Sequence, residues 1–158
     1  MKSKFSITDI ETAFKSVTLN GAALQFVSAA LCTEALALMA VEQNAHALKY
    51  VPAEHRTEAV LLKALESDVY VLPYIPDGGW SETLAFKVVE SHGLDLKNVP
   101  VEFRTEAVVI KAVQCNGLAL EHVPKHLCNQ SLVDIAVADC RMALHYAPPQ
   151  FRTEEAAL

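Results

Sequence analysis

Apolar residues recur along this chain in two alternating patterns. Val60, Leu61, Leu62, Ala64 and Leu65 form the denser kind; turned at 100° per residue, they fill an arc of about 200°. Lys63 and Glu66 hold the remaining face. So wide an arc predicts a helix covered from more than one side. The sparser kind precedes it: Ala47, Leu48 and Val51 mark a short helix that Pro52 ends, and Ala53-Glu54-His55-Arg56 reads as a tight turn.

The pairing repeats. Ala-Leu-x-x-Val-Pro occurs at Ala47–Pro52 and again at Ala119–Pro124, 72 residues later, which is three times 24. Steps of 24 from Leu24 reach Leu48, Leu72, Leu96, Leu120 and Leu144. Steps of 24 from Asp9 reach Thr33, Thr57, Ser81, Thr105, Asn129 and Thr153. All seven are residues whose side-chain oxygen caps helix N-termini. The next column, Glu34, Glu58, Glu82, Glu106, Gln130 and Glu154, puts mostly carboxylates in the first turn, where the helix dipole favours them. A further column runs Ser28, Pro52, Pro76, Pro100, Pro124 and Pro148.

These columns predict longer helices opening near residues 33, 57, 81, 105, 129 and 153, each preceded by a short helix and a proline turn. At the first helix, Thr8 and Glu11 form a capping box that competes with Asp9. Gly21, Gly93 and Gly117 recur just after the longer helix, where a left-handed residue is expected. Ala45, Val69 and Arg141 take that place elsewhere.

One such unit cannot bury so wide an arc alone, and stacking is the standard solution. The expected architecture is therefore all-α: a right-handed α-solenoid of about six 24-residue repeats in one domain, 1–158. Residues 1–19 make a leading half-repeat, followed by repeats 20–43, 44–67, 68–91, 92–115, 116–139 and 140–158. A final helix cut short after Thr153 is expected to expose Val133, Ile135 or Val137 and to favour self-association through that edge.

The pattern Asn-Gly-x-Ala-Leu-x-x-Val-Pro, with Arg-Thr-Glu-x-Val and Ala-Val after it, resembles an uncharacterised family of 24-residue helical repeats found in bacterial proteins. The resemblance covers about Asn20 to Thr153, is strongest in 44–67 and 92–115, and is weakest in 68–91. The period is also similar to leucine-rich repeat variants, whose accompanying cysteine cluster is absent here. The resemblance implies a bacterial or phage origin and a repeat surface. It supplies no activity, since function lives in residues grafted onto a fold.

Composition narrows the choices. A hydrophobic content of 52% supports a buried core, while 13 basic residues against 19 acidic ones argue against nucleic acid as the main ligand. A helical repeat with a local basic surface stays as the alternative. Ala22–Val41 is interrupted by Gln25, Ser28, Thr33 and Glu34, so no membrane span is read there, and Met1–Ser6 lacks a leader pattern. A cytoplasmic protein is expected. Cys32, Cys115, Cys128 and Cys140 have no CxxC spacing and read as small hydrophobes. His122 and His126 are separated by Pro124, which argues against a shared metal-binding face. No phosphate loop or nucleophile elbow occurs, so no catalytic residue, metal or cofactor is expected.

Binding is the better expectation, with another protein as partner. Lys15, Lys63, Lys87 and Lys111, beside Glu42, Glu66 and Glu90, read as a solvated face. The third repeat departs from the rest. Pro73 interrupts its short helix, Asp77-Gly78-Gly79 replaces the usual turn, and Trp80 stands where Arg56, Arg104 and Arg152 stand elsewhere. Departures from a consistent pattern tend to mark function or strain. Tyr70, Tyr74, Asp77 and Trp80 are the candidate binding residues. Trp80 has a rival role, since Gly79 leaves a gap in a column otherwise filled by Leu31, His55, Phe103, Leu127 and Phe151. The expected function is a non-enzymatic protein-interaction module of the effector, immunity or inhibitor kind.

Overall fold

The computed structural model describes residues 6–152. Among them the chain is all-helical apart from one isolated parallel bridge between Ile7 and Val27. Six α-helices of ten residues each follow one another: α1 Ile10–Leu19, α2 Glu34–Gln43, α3 Glu58–Ser67, α4 Glu82–Ser91, α5 Glu106–Cys115 and α6 Gln130–Asp139. Each opens on a cap from the Asp9 column, whose side-chain oxygen accepts the N–H three residues on. Asp9 takes that role in α1, accepting from the Thr12 N–H at 2.8 Å, so Thr8 does not cap. Thr153 and the helix it was expected to open lie outside the described residues, as does most of the N-terminal stretch Met1–Ser6.

Each α-helix stops at a residue in extended conformation. Asn20, Asn44, Asp68 and Asn116 then act twice. Their N–H closes the α-helix on the carbonyl four residues back. Their side-chain oxygen accepts the N–H two residues on, at 2.8–3.0 Å. That bond opens a 3-10 helix: Gly21–Phe26, Ala45–Tyr50, Val69–Tyr74 and Gly117–His122, with Gly93–Asn98 and Arg141–His145 at the matching places. The short helix of the sequence pattern is thus a 3-10 helix. The tight turn after the proline is a second one, of three residues, at Ala53–His55, Val101–Phe103 and Pro149–Phe151.

Three expectations fail here, each for a local reason. Pro73 does not interrupt its short helix, because Val69–Tyr74 runs through it. The proline φ of about −65° suits a 3-10 helix, and only one N–H is lost. Asp77–Gly79 does not replace the usual turn either, but forms the same three-residue 3-10 helix as its counterparts. Nor do the glycines adopt left-handed backbone, since no described glycine has positive φ. Gly21, Gly93 and Gly117 are required by close approach instead. A Cβ on them would strike the carbonyl oxygens of Ala40, Ala112 and Ala136 respectively, each 19 residues further on.

Contacts divide the chain into two units, Met1–Trp80 and Ser81–Leu158. In the first, α2 packs between α1 and α3, burying Val17, Leu36, Val41, Val60 and Leu61, with Leu48 beneath. In the second, α5 packs against α4 and α6, burying Leu84, Val88, Val109, Val113 and Val133. Full burial of Val133 overturns the expectation that it is exposed; Ile135 and Val137 are half-buried. Helix α6 is flanked by α5 and by the 3-10 helices Gly117–His122 and Arg141–His145, which together cover its inner face. No helix among the described residues is long and apolar enough to cross a membrane.

Candidate functional site

The arginines before the helix caps organise the backbone around them. Arg56 donates from Nε to the Val51 carbonyl at 2.8 Å, from Nη1 to Tyr74 at 2.8 Å and from Nη2 to Lys49 at 3.4 Å. Arg104 repeats the set on Val99, His122 and Lys97 at 2.8, 2.7 and 3.2 Å. Arg152 donates to Ala147 and His145 at 2.8 and 2.9 Å. The reason lies in the prolines. In a 3-10 helix the Lys49 and Lys97 carbonyls would accept from the N–H three residues on, but Pro52 and Pro100 have none. The guanidinium, with five N–H donors in a rigid fork, supplies the missing partner. Burial pushes the Arg104 pKa below its ordinary value. Sequence reasoning missed this clamp, although the recurring Pro-x-x-x-Arg-Thr-Glu pattern was its signal.

Trp80 occupies the arginine position at the end of the first unit. It is half-buried. A Cβ on the neighbouring Gly79 would lie 3.0 Å from Leu61 Cδ1 and from the Pro76 ring.

The other candidates divide into two places. Tyr70 is 79% exposed, and its N–H is held by Asp68 Oδ1 at 2.8 Å. The second Asp68 oxygen lies 3.0 Å from His46 Nε2. The His46 ring meets Tyr74 edge-on, with centroids 6.3 Å apart and planes at 81°. At about three residues per turn, positions four apart point to different sides, so Tyr70 faces outward while Tyr74 turns to His46. Tyr74 is half-buried and its carbonyl is held by Arg56. His46 belongs to this cluster, and sequence reasoning had not singled it out. Asp77 is exposed, and no ring contact or hydrogen bond among the described residues joins it or Trp80 to the tyrosines.

The lysine row is neutralised in place. Lys63 lies 3.2 Å from Glu42 and 3.8 Å from Glu66, while Lys87 and Lys111 lie 3.6 and 3.5 Å from the two oxygens of Glu90. Lys15 pairs with Glu11 at 2.7 Å. Pairs this exposed contribute about 0–1 kcal/mol each to stability, so their main effect is to cancel a basic stripe.

Residues 106–152 match the model of a family described as a domain of unknown function (DUF4116). That stretch runs from the first residue of α5 to Arg152. No curated protein and no solved structure matches the chain.

Proposed function

We propose that this protein is a non-catalytic protein-interaction module, and that its helices stack as a right-handed solenoid of about six 24-residue repeats. The observation that carries the reading is the cluster around Tyr70. A phenol 79% exposed is anchored through its backbone to Asp68, which also holds His46 against Tyr74. Tyrosine and tryptophan dominate interface anchors because each offers a large rigid area with a polar atom. Fixing the Tyr70 backbone lowers the ordering cost of binding. Asp77 and the half-buried Trp80 extend the same segment. Another protein in the same cytoplasm is the proposed partner, in the manner of an effector, immunity or inhibitor protein.

The cancelled lysine row speaks against the nucleic-acid alternative. Photo-crosslinking decides between the classes. A photoreactive phenylalanine at position 70 should capture a discrete protein in host extract, and one at exposed Val101 should not. Capture of nucleic acid, or equal capture from both positions, would overturn the reading.

A further inference from the structure

The arginine column runs Cys32, Arg56, Trp80, Arg104, Cys128 and Arg152, so two cysteines stand where a guanidinium would be. Each arginine is served by carbonyls seven and five residues before it, and Arg56 and Arg104 by a third 18 residues after. The matching residues for Cys32 are Gln25, Val27 and Tyr50, and all three line a cavity of about 110 Å³ beside the thiol. For Cys128 they are Glu121, Val123 and Tyr146, and all three line a cavity of about 480 Å³. Twice, therefore, loss of the arginine leaves an opening bounded by the residues that would have bound it.

The backbone at Val27, which shapes the opening at Cys32, matches its counterparts in two other repeats. Val27 has φ −80° and ψ 134°, against −70° and 127° for Val51 and −76° and 129° for Val99. Among the described residues no turn N–H or side chain donates to the carbonyls of Gln25, Val27 or Tyr50. The Ser28 N–H that could have served Gln25 goes to the Ile7 carbonyl at 3.2 Å instead.

Charge separates the two openings. Lys125 and Arg152 line the one at Cys128, against a single Glu121. No charged residue lines the one at Cys32, and the Glu54 carboxylate lies near enough to help burial push that thiol's pKa up. Lys49, the cation of that neighbourhood, sits 4.8 Å from the Tyr50 ring centroid and is not among the lining residues. One bound water needs about 10–15 Å³ of such space, so 110 Å³ has room for the four heavy atoms of a guanidinium.

We propose that the opening between Gln25, Val27, Cys32 and Tyr50 is a vacant arginine slot that receives the guanidinium of an arginine side chain from a protein partner. The incoming group makes the carbonyl bonds that Arg56 makes within the chain one repeat further on. Lysine is a poor substitute, because an ammonium cannot span three separated acceptors with a planar fork. The inference rests on the protein-binding reading for its source of arginine, though not for the chemistry of the slot.

The test uses the full chain and three probes: N-acetyl-arginine methylamide, its lysine counterpart and its neutral citrulline counterpart. In amide-resolved NMR titrations the arginine probe should shift Val27, Cys32 and Tyr50 saturably, about ten-fold more tightly than either counterpart. Cys32→Ala should bind at least as well. Cys32→Arg should lose the response and melt a few degrees higher, since its own side chain fills the slot. Equal response to all three probes, no response, or binding retained by Cys32→Arg would each overturn the proposal. Tyr70→Ala should leave the titration unchanged, so failure of the slot and failure of the tyrosine surface are distinguishable.

Discussion

The Thr57 hydroxyl donates to Glu34 Oε1 at 2.6 Å, bridging the cap of α3 to the first turn of α2. The same oxygen accepts the Val60 N–H at 3.5 Å, so one hydroxyl caps its own helix and ties it to the preceding one. Thr105 and Glu82 repeat the bond at 2.6 Å. Removing the hydroxyl with Thr57→Val should cost about 1–2 kcal/mol of unfolding free energy by combining cap and bridge. Thr57→Ser should recover most of it. A denaturant double-mutant cycle with Glu34→Gln should show coupling of about 0.5 kcal/mol or more. Strict additivity would mean that the bridge contributes nothing.

Two glycines should respond in opposite directions to the same change. Gly117→Ala drives a methyl into the Ala136 carbonyl and should destabilise by about 1–3 kcal/mol. Gly78 has no atom within 4 Å of a built Cβ, and its φ is not positive. Gly78→Ala should therefore be neutral or stabilise by up to about 1 kcal/mol, by restricting the unfolded chain. Thermal melts of the two variants check both signs.

Asp9 makes α1 sensitive to acid. The Thr12 N–H and side chain lower its carboxyl pKa below the ordinary 3.8, so the folded state binds the proton less readily than the unfolded chain. Its contribution is fully present above pH 3.8 and is lost as pH falls through the lower folded value. Asp9→Asn keeps an acceptor at the cap and should remove that part of the acid dependence. Following the Thr12 amide shift against pH in both proteins reads this directly.

The thiols should react in order of access. Cys115 is exposed, whereas burial pushes the pKa of Cys32 and Cys128 up and holds them as thiols. Timed alkylation followed by peptide mass spectrometry should label Cys115 first and Cys32 last. Fast labelling of Cys32 in the native protein would contradict its 5% exposure.

Truncating the aromatic residues of the third repeat should separate surface from support. Tyr70→Ala should leave the melting temperature within about a degree, as expected of an exposed side chain, while weakening partner binding by about 2 kcal/mol. Trp80→Ala should lose about 1–3 kcal/mol of stability, less than a fully buried tryptophan, because the residue is half-covered. A stability loss at Tyr70 with unchanged binding would remove it from the interface.

What the chain determined by itself was the helical content and the place of each α-helix. An N-cap is a local device, since the Asp9, Thr33 and Thr57 oxygens accept from an N–H only three residues on. Proline ended the short helices for an equally local reason, the missing N–H at Pro52 and Pro100. Tertiary structure decided whatever depended on atoms from another turn of the chain. Gly21 looked like a left-handed cap, but what constrains it is the Ala40 carbonyl 19 residues away. Arg56 read only as the last residue of a tight turn, yet it holds the Tyr74 carbonyl across 18 residues. His46 carried no signal of its own and joined the tyrosines only when Asp68 was folded against it. A period in sequence reports which positions are equivalent; which atoms meet across successive turns depends on their spacing in the folded chain, and no column of residues contains that distance.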